Sequence, residues 1–292
     1  MKKILALGFF DGVHLGHQAL LEACCRMAKD QEATPCAITF QAHPQALFTP
    51  DAPKLINSQA DRIRLMRGYG IGPVVVYPVT EAVMSMAWDA FLEELVAMDT
   101  AGFVCGSDFR FGCQGLGDSE KLKSFCRDRG LSCEVIGQQM LSGIRISSTH
   151  IRSLLEQGQM EQAVAFLGHP HILSGIVQPG KQLGRTLGIP TANLYLPEDV
   201  VTPKFGVYAC KAKVNGETCL AVTNVGMRPT VSGNTVTVEP WLLDFSGDLY
   251  GQELTLEFYS FLRPEQKFES LEVLAEEIRK NAAQTRKIFE KS

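Results

Sequence analysis

At 292 residues the chain has the length of about two domains, each with a core of its own. Hydrophobic residues make up 45% and charged residues 21%, a globular balance that excludes large-scale disorder. The formal net charge of −4 argues against a nucleic-acid partner, which would call for a basic face.

The first apolar run, Met1 to Leu7, reads as a buried strand, and Leu20, Leu21, Cys24, Met27 and Ala28 follow at helical spacing. Between them lies a strand-to-helix corner, Gly8-Phe9-Phe10-Asp11-Gly12-Val13-His14-Leu15-Gly16-His17. Glycines 8, 12 and 16 let backbone approach a ligand, and the first N–H groups of a helix lack intrahelical partners, which suits an anion. His14 and His17, three residues apart near the helix start, can face one phosphate. The arrangement suits nucleotidyl transfer, where charge builds on phosphate oxygens. A glycine-rich turn with two solvent-exposed histidines is the plainer alternative.

Thr34 to Phe40 reads as a second strand ending in the turn Gln41-Ala42-His43-Pro44. Asp61 to Gly68 is a charged helical stretch, and Pro73 to Pro78 a short β-branched strand. Trp88, Phe91, Leu92, Leu95 and Val96 repeat at helical intervals. Ala101 to Cys105 is a fourth strand followed by the loop Gly106 to Gly112, Leu122, Phe125 and Cys126 mark another helix, and Leu131 to Ile136 a fifth strand. This alternation predicts a parallel sheet with its ligand at the carboxyl ends of the strands, so the loops at 8–17, 40–44 and 106–112 should converge on one crevice.

In Arg145-Ile146-Ser147-Ser148-Thr149-His150-Ile151-Arg152, Ser148 or Thr149 can cap a helix running through Leu154 and Leu155. A capping hydroxyl with Arg152 one turn in makes a phosphate clamp, or an ordinary capped helix with a surface arginine. Met160 to Leu167 is a further short helix and Gly168 to Gly175 is loop-like. Beyond it, alternating runs at 206–214, 218–224, 236–245 and 254–261, broken by glycine and proline, suggest a small antiparallel barrel or sandwich. Leu271, Leu274, Ile278 and Ile288 form a terminal amphipathic helix. The change of texture puts a domain boundary near residue 170, giving 1–169 and 170–292.

No apolar stretch approaches the ~20 residues of a membrane helix, and the first seven residues are too short for a secretory signal. A cytoplasmic protein with no membrane or nucleic-acid partner is expected, as a monomer or weak oligomer. The nine cysteines, scattered from Cys24 to Cys219 without a Cys-x-x-Cys pair, read as reduced, mostly buried thiols.

Together these residues resemble the prokaryotic bifunctional riboflavin kinase/FAD synthetase. The matching pieces in the first half are Phe10 to His17, Thr39-Phe40 with His43-Pro44, Asp108 to Gly112, and Ile146 to Thr149 with Ile151-Arg152. In the second half they are Leu183 to Asn193, Phe205 to Ala209, Asn224-Val225-Gly226 with Arg228-Pro229-Thr230, and Glu239 with Leu242 to Phe245 and Asp248 to Gly251. The resemblance runs through nearly the whole chain. It implies an α/β Rossmann-like nucleotidyltransferase domain with a parallel sheet, then a small antiparallel β-barrel domain with a C-terminal helix.

By that resemblance the first half joins FMN and ATP into FAD and pyrophosphate. His14 and His17 stabilise the transition state beside Gly8, Asp11, Gly12 and Gly16; Ser148, Thr149 and Arg152 grip the triphosphate; His43, Pro44 and Asp108 line the flavin and adenine pocket. The second half phosphorylates riboflavin with ATP. Thr191 and Asn193 coordinate Mg2+, Gly180, Lys181, Gly184 and Arg185 fold over ATP, Phe205, Asn224 and Arg228 hold flavin, and Glu239 accepts the hydroxyl proton.

The chain departs from the family pattern at four places. Phe9 stands where the family usually has a small polar residue, commonly Asn, Ala42 replaces the first proline of the usual Thr-Phe-x-Pro-His-Pro, Pro240-Trp241 replaces a common Thr-His pair, and Asn281 a common aspartate. The alternatives are a monofunctional riboflavin kinase with a silent first half and a non-catalytic flavin-binding or flavin-sensing protein. The second has no physical need for a phosphate clamp and a metal-site base.

Overall fold

The computed structural model describes residues 1–49, 51–179, 188–230 and 233–290. The chain divides into two compact units, Met1–Ser148 and Thr149–Ser292.

In the first unit five strands, β1 (Lys3–Leu7), β2 (Thr34–Phe40), β3 (Val74–Tyr77), β4 (Thr100–Gly106) and β5 (Ser132–Ile136), form a wholly parallel sheet in the order β3-β2-β1-β4-β5. The helices are α1 (Leu15–Asp30), α2 (Gln59–Gly68), the single turn α3 (Glu81–Met84), α4 (Trp88–Val96) and α5 (Ser119–Arg129). Parallel strands need crossovers, and helices on both faces bury the strands on both sides. In β1 alternate residues serve opposite cores: Ile4 and Ala6 pack with Leu21, Cys24 and Met66, whereas Leu5 and Leu7 pack with Phe91, Leu95, Phe103 and Leu122. The chain winds outward through β1, β2 and β3, then returns to the far side of β1 with β4. The order therefore reverses between β1 and β4, where such sheets open a crevice at the carboxyl ends. A hairpin, β6 (Met140–Leu141) with β7 (Ile144–Arg145), completes the unit.

Two helices, α6 (Ser148–Gln157), which starts on the last residue of the first unit, and α7 (Met160–Leu167), open the second. Its sheet orders six strands as β8 (His171–Ile176), β13 (Glu253–Pro264), β10 (Gly206–Val214), β11 (Glu217–Thr230), β12 (Gly233–Leu242) and β9 (Leu194–Tyr195), all antiparallel. The barrel-or-sandwich alternative resolves to a nearly closed barrel: Gln178 N donates to Asn193 O at 2.9 Å, joining the exit of β8 to the approach of β9. The segment 168–175, expected to be loop-like, is corrected by β8, whose six residues pair with β13 from His171↔Phe258 to Ile176↔Glu253. A terminal helix, α8 (Leu271–Glu290), lays Ala282 against Val207, Val222 and Leu243.

All nine cysteines are free, and five of them, Cys24, Cys36, Cys105, Cys126 and Cys210, are buried. Among the described residues no helix is long and apolar enough to cross a membrane, and no cluster of three or more His, Cys, Asp or Glu could hold a metal.

Candidate active sites

The corner after β1 leaves the sheet through strained backbone. Phe10 (φ 56°) and Val13 (φ 40°) take left-handed conformations, costly for a bulky or β-branched residue, and Gly12 (φ 79°) lies between them. Buried hydrogen bonds hold this shape. Asp11, fully buried, accepts Ile56 N at 2.8 Å on Oδ1; Ser148 Oγ donates to Asp11 O at 3.0 Å; Gln18 Nε2 donates to Val13 O at 2.9 Å. The space beside Gly16 is taken by the His14 ring, 3.2 Å from where a Cβ would sit, and that beside Gly8 by the Phe10 ring at 3.0 Å.

His14 caps α1: its Nδ1 accepts His17 N at 3.3 Å, so the neutral ring carries its proton on Nε2. The His14 and His17 rings stack with centroids 3.7 Å apart and an 11° interplanar angle. Burial, then the neighbouring His14 and Arg62, hold His17 well below the usual histidine range, so it is neutral at pH 7. Its Nδ1 is buried without a hydrogen-bond partner among the described residues. The alternative of two solvent-exposed histidines is corrected, His14 being only 7% exposed.

The three loops expected to converge do so in part. Phe9, after β1, meets the ring of His43, after β2, edge-on at 5.4 Å. His43 Nδ1 accepts Gln45 N at 3.3 Å and caps a short 3-10 turn, Pro44–Leu47. Pro44, Phe40 and Phe48 then share a cavity of about 750 Å3 with Phe91, Arg110 and Phe111, which joins the second loop to the third. Its size suits a flavin-sized ligand. Asp108 and His43 are not in its lining; Asp108 is exposed and ion-paired with Arg145 of β7. Ser148 begins α6, and in the second unit the Arg152 and Thr149 side chains lie 3.5 Å apart.

The barrel unit builds its site on a ladder. Glu239 of β12 pairs with Asn224 of β11. On its other flank Thr191↔Trp241 and Leu194↔Val238 run in one register, which sets Asn193 beside Glu239. Lateral neighbours in a ladder share a face, so two amides flank one carboxylate. Thr237 Oγ1 donates to Glu239 Oε1 at 3.4 Å. Thr191, Asn224, Glu239, Trp241, Arg263 and Asn281 line a cavity of about 330 Å3. Asn193 is buried at 6% exposure; Phe205, just before β10, is not in the lining. Arg228 lies on β11 opposite Thr235. Gly180, Lys181, Gly184 and Arg185 lie outside the described residues.

Four residues escaped sequence reading. Arg62 fell within the charged helical stretch at 61–68 and was not singled out, yet it is fully buried; it stands one turn before Met66 of the core, which was the available signal. Arg145 opens the Ser-Ser-Thr segment and reaches Asp108. Arg263 donates to Asn281 Oδ1 at 3.1 Å, and Glu265 Oε1 accepts from Asn224 Nδ2 at 3.4 Å.

A family model described as FAD synthetase matches residues 1–150, and one described as riboflavin kinase matches residues 167–289. A Listeria monocytogenes protein named bifunctional riboflavin kinase/FMN adenylyltransferase is 34% identical over 295 residues, covering 100% of this chain and 94% of the relative. The chain belongs to this family. Among bifunctional riboflavin kinase/FMN adenylyltransferases, that of Pseudomonas fluorescens is also 34% identical, over 286 residues, covering 97% of this chain and 92% of the relative. A solved Streptococcus pneumoniae structure, described as a macrolide-efflux protein, superposes with a TM-score of 0.86 at 27% identity, covering 98% of this chain and 94% of that one.

Proposed function

We propose that the chain carries out two ATP-dependent steps in succession, riboflavin to FMN in residues 170–292 and FMN to FAD in residues 1–169. The observation that carries this reading is that each unit builds a site suited to one of the two chemistries: stacked histidines at a helix start in the first, and a carboxylate flanked by asparagines in the second.

The kinase step needs a base, because a hydroxyl is a poor nucleophile until its proton leaves. Glu239 accepts that proton from the terminal ribityl hydroxyl as its oxygen attacks the γ-phosphorus of ATP and ADP departs. Thr191 and Asn193 offer neutral oxygens, a donor set that fits a magnesium ion already ligated by phosphate. When bound, the ion neutralises phosphate charge. Gly180, Lys181, Gly184 and Arg185 cover the nucleotide, while Asn224, Phe205 and Arg228 orient the flavin.

The adenylyl step needs no base. The FMN phosphate is anionic already, and its oxygen attacks the α-phosphorus of ATP with pyrophosphate leaving. His14, through Nε2–H, and His17 stabilise the charge that develops, at a corner shaped by Gly8, Asp11, Gly12 and Gly16. Ser148, Thr149 and Arg152 are assigned to the triphosphate, and His43, Pro44 and Asp108 to the flavin and adenine.

The test separates the steps. With riboflavin, ATP and magnesium, FMN should rise and then give way to FAD. Glu239→Ala should lower FMN formation ~10²–10⁴-fold and spare FMN-to-FAD conversion. His17→Ala should lower adenylyl transfer ~10²–10³-fold and spare the kinase. Loss of both activities in either folded variant would sink the two-site assignment.

A further inference from the structure

We infer that Arg62 is a positioning residue of the adenylyl-transfer step: its buried guanidinium clamps the loop after β1 to the loop after β2, fixing where His14, His17 and His43 stand. The inference rests on the assignment of that step to the corner at residues 8–17.

The clamp is specific in its partners. Arg62 is 0% exposed. Its Nη1 donates to Phe9 O at 2.8 Å and to Thr39 Oγ1 at 3.3 Å, and its Nη2 to Phe40 O at 2.9 Å and Gln41 O at 3.3 Å. Thr39 Oγ1 in turn donates to Phe9 O at 2.8 Å. The oxygens belong to the residues where the chain leaves β1 and β2 for the site. Strand-end carbonyls have lost the ladder that would satisfy them, and the planar fork of an arginine can serve two loops at once.

The residues held this way carry the histidines. The guanidinium lies over the Phe9 ring, 4.7 Å from its centroid, and that ring meets His43 edge-on at 5.4 Å. The next residue, Phe10, meets His17 edge-on at 5.4 Å, and His17 stacks on His14. A shift of the Phe9 carbonyl therefore moves two aromatic contacts, one toward each loop's histidine. The lead-in to α2 is held from the opposite direction. Asp11 accepts Ile56 N, and Ser58 Oγ caps the helix at Asp61 N, at 3.1 Å. Residues 9 and 11 of one loop are thus gripped by residues 62 and 56 of another segment, which braces the strained backbone between them.

Burying a charge is costly. An apolar residue would fill this position, which shares a helix face with the core residue Met66, at lower cost to folding alone. The guanidinium instead spends its donors on the loops that form the site, which is the signature of a positioning role.

The experiment compares Arg62→Lys, Arg62→Met and the milder Thr39→Val in the full chain, with FMN-to-FAD conversion and riboflavin phosphorylation measured on the same preparations. Thermal melts followed by far-UV circular dichroism report whether each variant folds. The expected result is a fall of at least tenfold in kcat for adenylyl transfer in Arg62→Lys and severalfold in Thr39→Val. Riboflavin phosphorylation should stay within twofold. If Arg62→Met does not fold, the other two decide. Adenylyl-transfer kcat within threefold of the parent in folded Arg62→Lys, a loss confined to KM, or a parallel fall in both activities overturns the inference. His17→Ala separates the levels: if it loses adenylyl transfer while the Arg62 and Thr39 variants keep it, the clamp alone is wrong. If His17→Ala keeps adenylyl transfer, the assignment of the corner falls and the clamp with it.

Discussion

Acid should weaken the barrel unit through one residue, His171. This side chain opens β8, is 1% exposed, and has neither ring nitrogen hydrogen-bonded among the described residues. Its ring lies 5.7 Å from Phe258. Burial, then the neighbouring His169, push its pKa from the usual 6.5 down to about 3, so the folded barrel holds it neutral. The unfolded chain binds a proton at this position as the pH drops through ~6.5, while the folded chain refuses it until ~3; unfolding then takes up protons, and stability falls with pH. Between pH 7 and pH 5 the two values give a loss of about 2 kcal/mol, on the way to about 4 kcal/mol at pH 3. His171→Met keeps the bulk and removes the titration, so its barrel should escape this loss. Of the two tryptophans Trp88 lies in the first unit and Trp241 in the barrel. In a Trp88→Phe background, Trp241 emission therefore follows urea unfolding of the barrel alone. At a slope of ~2 kcal/mol/M the parent's midpoint should drop about 1 M more than the variant's between pH 7 and pH 5. Contributions from the carboxylates are common to both proteins and cancel. Equal midpoint shifts would refute the reasoning.

Gly16→Ala sets stability against activity. Alanine favours the helix by ~1 kcal/mol, so melting should hold or rise, yet its Cβ would press on the His14 ring at 3.2 Å. Adenylyl transfer should fall about tenfold with riboflavin phosphorylation untouched, a displacement of tenths of an ångström being enough in a ring with the role proposed for His14. Asn281→Leu removes the oxygen that accepts Arg263 Nε at 3.1 Å on the wall of the barrel cavity. With a hydrogen bond to a charged group worth ~1.5–3 kcal/mol, KM for riboflavin should rise at least tenfold and FMN-to-FAD conversion stay as it is. Unchanged KM would show that Arg263 does not shape the flavin site.

What could be read from the sequence was what repeats. The apolar runs of β1 to β5 and the 3.6-residue spacing of α1, α4 and α5 signal parallel crossovers because burial on both faces of a sheet leaves continuous apolar strands. Elements defined by a partner far along the chain stayed hidden. His171-Ile172-Leu173-Ser174-Gly175-Ile176 has a histidine and a glycine where a strand signal needs apolar alternation, and β13, some eighty residues on, makes it a strand. The two-residue β9 has no periodicity to detect. The site divided the same way. His14 and His17 could be seen because both sit on one turn; that Glu239 stands beside Asn193 and Asn224 depends on two registers that no local spacing encodes.

The substitution of Phe for the usual Asn at position 9 shows how a departure from pattern can be absorbed. A polar side chain there would offer hydrogen bonds to a ligand; Phe9 offers a ring with two partners, the Arg62 guanidinium over it at 4.7 Å and His43 edge-on at 5.4 Å. A cation over an aromatic face is worth ~2 kcal/mol when desolvated, comparable to a hydrogen bond to a charged group. The backbone of Phe9 meanwhile keeps its polar task, its carbonyl accepting from both Arg62 and Thr39. The side chain is thus freed from direct polar contact while the peptide that precedes the strained Phe10 stays pinned. The geometry of the corner depends on carbonyls and buried charges more than on the identity of residue 9, which is why the stacked histidines survive the change.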